Sequence, residues 1–257
     1  MRETKLLEVA PRSTGHGSRL VVRRETREPS KVSGRGVGLG KRAFDLICIL
    51  SAAPLLILVA ALVALLIWMV SPGSILFRQR RIGYLGRPFT CLKFRTMKIG
   101  ADSGVHQRYC DHLIEADLPM TKMDQTGDER LIPFGFWLRS TGLDELPQLI
   151  NVLRGEMSLV GPRPCLPYEY EKYQPWHRQR CETLPGLTGL WQVSGKNRTT
   201  FEEMMRLDVF YARTNSLELD IRILLKTVPV LFGQVHEVRK FRPGSGRRAA
   251  GADLSRL

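Results

Sequence analysis

Between Leu46 and Val70 the chain runs for 25 residues, LICILSAAPLLILVAALVALLIWMV, without a single charge. As a straight helix the run would reach ~37 Å, more than the ~30 Å hydrocarbon core of a bilayer. A cleaved signal peptide does not fit. The run starts far from Met1 and no small-x-small cleavage site follows it. Two features oppose a simple span. Lys41 and Arg42 stand before the run and Arg78, Arg80, Arg81 and Arg87 after it, so charge gives no orientation. Pro54 lies inside it, removing one backbone bond and crowding the preceding turn. A helix–break–helix hairpin that enters and leaves by one face satisfies both, provided the break finds polar partners. Ser51 is the near candidate. The residues alone leave spanning helix and re-entrant hairpin both open.

The rest of the chain divides around this run. Residues 1–40 carry Arg, Ser and Gly without hydrophobic period and read as a disordered basic arm. GRGVGLGKR within it fits neither the P-loop nor the dinucleotide fingerprint. Residues 41–70 form the membrane segment, 71–234 one mixed domain, and 235–257 a basic, Gly-rich tail. SILFRQRRIG and FTCLKFRTM flank the turn-like GYLGRP and predict a hairpin. HQRYCDHLIEADL predicts a helix. Leu146, Leu149, Ile150 and Leu153 fall at i, i+3, i+4 and i+7 and predict one helical face. Thr200 with Glu203 is a capping box. Ser216 can open the last helix and Gly233 can end it. IRILLKTVPVLFG mixes apolar and basic residues, which suits either an interfacial helix or a core helix. The expected fold is α+β and mostly helical.

A net charge of +14 over 257 residues points to an anionic partner: nucleic acid, a membrane surface or a phosphorylated substrate. The five cysteines form no C-x-x-C pair, which argues against a disulfide framework or a zinc site. Asp144 and Glu145 are adjacent carboxylates just before a helix that has Pro147 in its first turn. Asp144 as N-cap with Glu145 in the first turn is the ordinary reading. The same geometry holds an ionised carboxylate that can attack phosphorus, beside a second that can hold Mg²⁺. Lys93, Arg95, Arg139 and Arg163 are the cations available to phosphate, and the two prolines of GPRP restrict how Arg163 can point.

KRAFDL, SPGSILFRQRRIG, KFRTM, LDELPQLINVLRGEMSLVGPRP, LPGLTGLWQVSGKNR and LDVFYA together resemble the bacterial sugar transferase family, the monotopic polyprenyl-phosphate phosphoglycosyl transferases. The resemblance covers about Lys41 to Gln234. It implies a single catalytic domain carried by a re-entrant membrane hairpin, with interfacial amphipathic helices, on the cytoplasmic face of the bacterial inner membrane. It implies transfer of a sugar 1-phosphate from a UDP-sugar to polyprenyl phosphate, with release of UMP and with Mg²⁺ as cofactor, at the start of exopolysaccharide or related glycan synthesis. Asp144 matches the nucleophile, Glu145 the Mg²⁺ support, Pro54 the hairpin break, and Lys93, Arg139 and Arg163 the phosphate- and uridine-binding basic residues. Gln192, Asn197 and Arg198 fall in motifs of substrate contact. Where members often place Ser before the proline, this chain has Ala53. Residues 103–125 resemble an insertion relative to shorter members.

Two other readings compete. A transferase moving the sugar alone usually carries D-x-D, which this chain lacks. A nucleic-acid binder gathers its charge on a recognition helix, whereas here the basic residues of the domain interleave with Pro and Gly motifs. No nucleic-acid partner is expected. If both ends of the apolar run lie on one side, single cysteines replacing Gly38 and Tyr84 react with a membrane-impermeant thiol reagent only after the cell is opened. Labelling of either from outside intact cells refutes the one-sided arrangement.

Overall fold

The computed structural model describes residues 38–101, 104, 130–195 and 199–240. Most of the basic arm, the helix expected in HQRYCDHLIEADL, the 103–125 insertion apart from Gly104, Asn197, Arg198 and the tail from residue 241 lie outside the described residues. In order come α1 (Leu39–Val70), β1 (Leu76–Ile82), β2 (Pro88–Phe94), α2 (Gly135–Thr141), a 3₁₀ turn (Leu143–Glu145) and α3 (Gln148–Arg154). Then follow β3 (Ser158–Val160), α4 (Pro167–Glu171), a longer 3₁₀ stretch (His177–Glu182), β4 (Gly186–Thr188), α5 (Leu190–Val193), α6 (Phe201–Thr214) and α7 (Leu217–Lys240). The fold is mixed, with helices around two small sheets.

The predicted hairpin is β1 paired antiparallel with β2, from Leu76 opposite Phe94 to Ile82 opposite Pro88. Leu85 (φ 53°) and Gly86 (φ 74°) give the left-handed backbone that closes its turn. The other sheet is the parallel pair β3 and β4. The capping box opens α6: Glu203 N–H donates to Thr200 Oγ1 at 3.3 Å and Thr200 N–H to a Glu203 carboxylate oxygen at 3.2 Å. Ser216 Oγ accepts from Leu219 N–H at 3.2 Å, as expected at the start of α7. Gly233 does not end that helix, which continues to Lys240. A lone glycine lowers helix propensity by about 1 kcal/mol and needs no stop where its neighbours remain helical.

The expected break at Pro54 is absent. α1 passes through it as one helix of 32 residues, the only helix among the described residues long and apolar enough to cross a membrane. Proline forfeits one bond, here to the Leu50 carbonyl, and such a loss bends a helix more readily than it ends one when flanking turns hold. Ser51 does not serve that carbonyl; its hydroxyl donates to Cys48 O at 3.0 Å. Along α1, Asp45, Ile49, Ala53, Leu56, Ala60, Val63 and Ile67 are buried or half-buried. Their spacing of three and four traces one stripe facing the protein. Ile47, Leu50, Leu55, Leu58, Leu62, Leu65 and Trp68, on the other faces, are exposed.

Polar residues seat the start of α1. Lys41 Nζ donates to Val160 O (3.0 Å) and Tyr211 OH (3.1 Å) and pairs with Asp220 (2.5 Å), joining α1, β3, α6 and α7. Burial, then Asp220, pushes the Tyr211 phenol up, so it stays a neutral donor. Arg42 donates to the carbonyls of Val152 and Leu153 (2.7 Å to the latter), closing the end of α3. Asp45 accepts from Leu159 N–H at 3.3 Å.

α3 reverses its expected amphipathicity. Ile150 and Leu153 are exposed and Leu146 and Leu149 only half-buried, while Gln148, Asn151 and Val152 point inward. Asn151 explains the reversal. Its Oδ1 accepts from Leu92 N–H (3.0 Å) and its Nδ2 donates to Thr90 O (2.7 Å) and Glu156 (2.6 Å). The amide thus takes the place of a neighbouring strand along the open edge of β2. The main core gathers Ile82, Val160, Tyr173, Trp191, Phe201, Met205, Tyr211 and Ile223, with α6 as its central helix.

Removing one partner of a buried pair leaves the other charge uncompensated, at a cost of about 3–5 kcal/mol. Lys41→Met therefore lowers the unfolding midpoint in detergent, and adding Asp220→Asn recovers part of the loss. Equal midpoints for Lys41→Met and the parent would show that this junction does not hold α1.

Candidate functional site

The site begins where two chain segments touch without side chains. A Cβ on Gly161 would lie 2.9 Å from Gly186 N and 2.3 Å from Leu184 O; one on Gly186 would lie 2.0 Å from Gly161 N. Only glycine permits that approach. It brings the GPRP turn after β3 against the PGLTG segment of β4, closed by Gly161 N–H to Thr188 O and Gly186 N–H to Pro162 O, both 2.9 Å.

A cleft enclosing about 260 Å³ opens beside this crossing. Arg81 and Cys91 from the hairpin, Lys93, Glu145, Gln148, Arg163 and Gln192 line it. Lys93 Nζ bonds Glu145 Oε1 at 2.8 Å, and an Arg163 guanidinium nitrogen lies 4.0 Å from the same oxygen. Arg81 is buried; it donates to Pro164 O (2.9 Å) and twice to Gln79 Oε1 (2.7 and 3.0 Å). Burial, then the Arg163 guanidinium, pulls the Arg81 guanidinium down from its ordinary value. Burial pushes the Cys91 thiol up, so it is a neutral wall rather than a nucleophile. Three cations therefore line the cleft with Glu145, and Asp144 lies one residue away. The balance is net positive and favours an anion.

Lys93, Glu145, Arg163 and Gln192 thus meet in one place. Asp144 is buried one residue from Glu145, and the cleft lining reaches Glu145. It is not the N-cap of α3. Gly142 (φ 75°) starts a 3₁₀ turn that holds both carboxylates, and Pro147, without a side-chain cap, precedes α3. The left-handed glycine resets the chain between α2 and α3, so the helical run starts earlier than Pro147 suggests. Arg139 sits half-buried in the last turn of α2 and does not line the cleft. Arg95 is placed elsewhere: its guanidinium donates to Pro72 O and Ser71 O, both at 2.8 Å, and fixes the chain just past α1. Alternation along an unbroken strand would put Lys93 and Arg95 on one face, but β2 ends at Phe94, so Arg95 is free to leave it.

Arg81, Gln148 and Cys91 were missed in the sequence. Arg81 breaks the alternation of β1, with buried Arg81 directly beside buried Ile82. That irregularity was its one local signal. Gln148 lay on the helix face taken to be solvent. The Gln192 Oε1 atom is buried without a partner among the described residues, and its Nε2 donates only weakly to Leu187 O at 3.4 Å.

No cluster of three or more His, Cys, Asp or Glu side chains able to hold a metal occurs among the described residues. Mg²⁺ asks for less: it is commonly held by one or two carboxylates, with phosphate oxygens and water completing its shell. Asp144 and Glu145 fit that pattern as adjacent oxygen donors.

Residues 37–234 match the family described as bacterial sugar transferase. The chain is 38% identical over 198 residues to the exopolysaccharide production protein ExoY of Sinorhizobium fredii, covering 76% of this chain and 86% of that protein. It is 42% identical over 207 residues to the UDP-glucose:undecaprenyl-phosphate glucose-1-phosphate transferase of Caulobacter vibrioides (76% and 70% covered). With the undecaprenyl-phosphate galactose phosphotransferase of Salmonella typhimurium identity is 36% over 193 residues, 74% of this chain and 40% of the longer relative.

Proposed function

The chain belongs to the bacterial sugar transferase family, and from that premise we propose that it transfers a sugar 1-phosphate from a UDP-sugar to undecaprenyl phosphate through a covalent intermediate on Asp144. It is a membrane-associated sugar-phosphate transferase. The observation that carries the finer reading is the charge of the cleft. Arg81, Lys93 and Arg163 outnumber the two carboxylates Asp144 and Glu145, and a net positive site suits the diphosphate of a nucleotide sugar. The relatives from Caulobacter and Salmonella are named for undecaprenyl phosphate as acceptor, which supports the same acceptor here.

Asp144 attacks the phosphorus bonded to the sugar. An Asp144 oxygen–phosphorus bond forms, the bond to the bridging oxygen breaks, and UMP leaves with that electron pair. An oxygen of the lipid phosphate then attacks the same phosphorus and releases Asp144 as carboxylate. Lys93, Arg81 and Arg163 stabilise the charge on the phosphate oxygens and the leaving UMP. Arg139 enters from α2 as a further cation near the carboxylates, and Gln192, Asn197 and Arg198 contact the remainder of the donor. Glu145 would hold Mg²⁺, which neutralises part of the diphosphate charge when bound. Two half-reactions suit a soluble donor and a membrane-borne acceptor, which then never need to occupy the site together.

The exposed apolar faces of α1 seat the enzyme in the inner membrane from the cytoplasmic side, and the basic arm and tail meet anionic lipid. α1 docks on the domain near both ends, through Asp45 and Ile49 and again from Val59 to Ile67. Docking of both ends on one domain supports one-sided insertion without a break at Pro54.

Enzyme given UDP-glucose or UDP-galactose without lipid releases about one UMP per site and gains the sugar-phosphate mass on the peptide carrying Asp144. Asp144→Asn keeps the fold and lowers turnover by about 10³-fold or more. Normal turnover in that variant, or UMP release that waits for lipid, refutes the covalent route. Chelation of divalent cations lowers turnover without lowering the unfolding midpoint; full activity in excess chelator would remove Mg²⁺ from the scheme.

A further inference from the structure

The four carbonyls of the turn that carries Arg163 are all held. Pro162 O accepts from Gly186 N–H (2.9 Å), Arg163 O from Arg180 (2.8 Å), Pro164 O from Arg81 (2.9 Å) and Cys165 O from Ile82 N–H (2.9 Å). Two are backbone bonds that any residue could supply. Arg81 lines the cleft and belongs to the site already described. Arg180 does not. It is buried behind the turn, where Nη1 donates to Tyr173 OH at 2.7 Å and Nη2 reaches both Arg163 O and Asp208 Oδ2, the latter at 2.5 Å. The Tyr173 ring also lies under the guanidinium, 5.7 Å from its centroid.

A buried ion pair is a poor way to gain stability, because desolvation offsets most of the attraction. Here burial pushes the Asp208 carboxyl up to about 6 even against Arg180, and its Oδ1 has no partner among the described residues. Apolar residues of similar volume would fill the space at no loss. What they cannot do is hold three acceptors in fixed directions from one plane, as a guanidinium can. One of the three is the main chain of Arg163, whose own side chain stops 4.0 Å from Glu145 in the cleft.

The structure assigns to Arg180, braced by Asp208 and Tyr173, the task of positioning Arg163 toward the substrate diphosphate. Arg180 touches neither substrate nor reacting atoms; it is a positioning residue acting through the backbone of the GPRP turn. The assignment rests on Arg163 being a diphosphate ligand, as proposed above.

Initial rates of UMP release at varied UDP-sugar and saturating undecaprenyl phosphate test it in four full-length enzymes: the parent, Arg163→Ala, Arg180→Lys and the double variant. Lys keeps the charge for Asp208, but its single nitrogen does not reproduce the two separated donor positions from which Arg180 serves its acceptors. Arg180→Lys is expected to raise KM for the UDP-sugar about five- to tenfold, Arg163→Ala about tenfold or more, and the double variant no more than Arg163→Ala alone. If the two increases multiply, Arg180 acts by another route and the assignment is overturned, with Arg163 still a ligand. If Arg163→Ala leaves KM unchanged, the ligand itself was misread and the assignment falls with it. Should Arg180→Lys fail to fold, Tyr173→Phe, which deletes one hydroxyl from the brace, takes its place in the same cycle. Its KM rise must likewise vanish in the Arg163→Ala background; a rise that persists there overturns the assignment.

Discussion

One ammonium group joins the membrane helix to everything else. Lys41 meets the end of β3, a phenol from α6 and a carboxylate from α7, and Arg42 in the next position closes α3. Each of these elements also carries or supports part of the cleft. β3 runs into the GPRP turn, α3 follows the carboxylate turn, and α6 supplies Asp208 to Arg180. Moving α1 relative to the domain therefore moves the site. A lipid-facing helix and a phosphate-facing cleft share a polar seam, although one is built for hydrocarbon and the other for charge.

The cleft gets its geometry from a second constraint, the crossing of Gly161 and Gly186. Parallel strands of three residues each offer little cohesion. Backbone contact at the glycines replaces it and places GPRP within reach of the hairpin. Around that point the protein concentrates like charge: Arg81 and Arg163 repel each other, and Lys93 pairs with Glu145. A site left net positive in this way costs free energy when empty, and an entering anion offsets that cost.

What could be read from the sequence was local or carried by long motifs. The hairpin, the Thr200 box and the Ser216 cap are encoded within a few residues, and each formed as expected. The convergence of Lys93, Glu145, Arg163 and Gln192 came from motif resemblance, since they are far apart in the chain. The failures had separate causes. α3 was turned the wrong way because Asn151 has a strand edge to satisfy, a demand that no periodicity expresses. Arg95 was read as a phosphate ligand when its task is to bind two carbonyls past α1. Pro54 was taken to divide a helix that the structure keeps whole.

The reversed helix has a practical side. On most proteins, leucines on an outward face are ornaments that an engineer replaces with lysine or glutamate to keep the molecule in solution. On α3 the outward residues Ile150 and Leu153, with Ile221, Leu225 and Val228 on α7, are the apolar part of the surface, and the polar residues are the interior. Surface charging aimed at a tractable aqueous sample would erase the very side chains that suit lipid. Conversely, the glutamine and asparagine that such a scheme would regard as harmless surface polarity are the ones the fold cannot lose. For this chain the solvent that completes the structure is partly hydrocarbon, and handling it as a water-soluble protein inverts which residues are expendable.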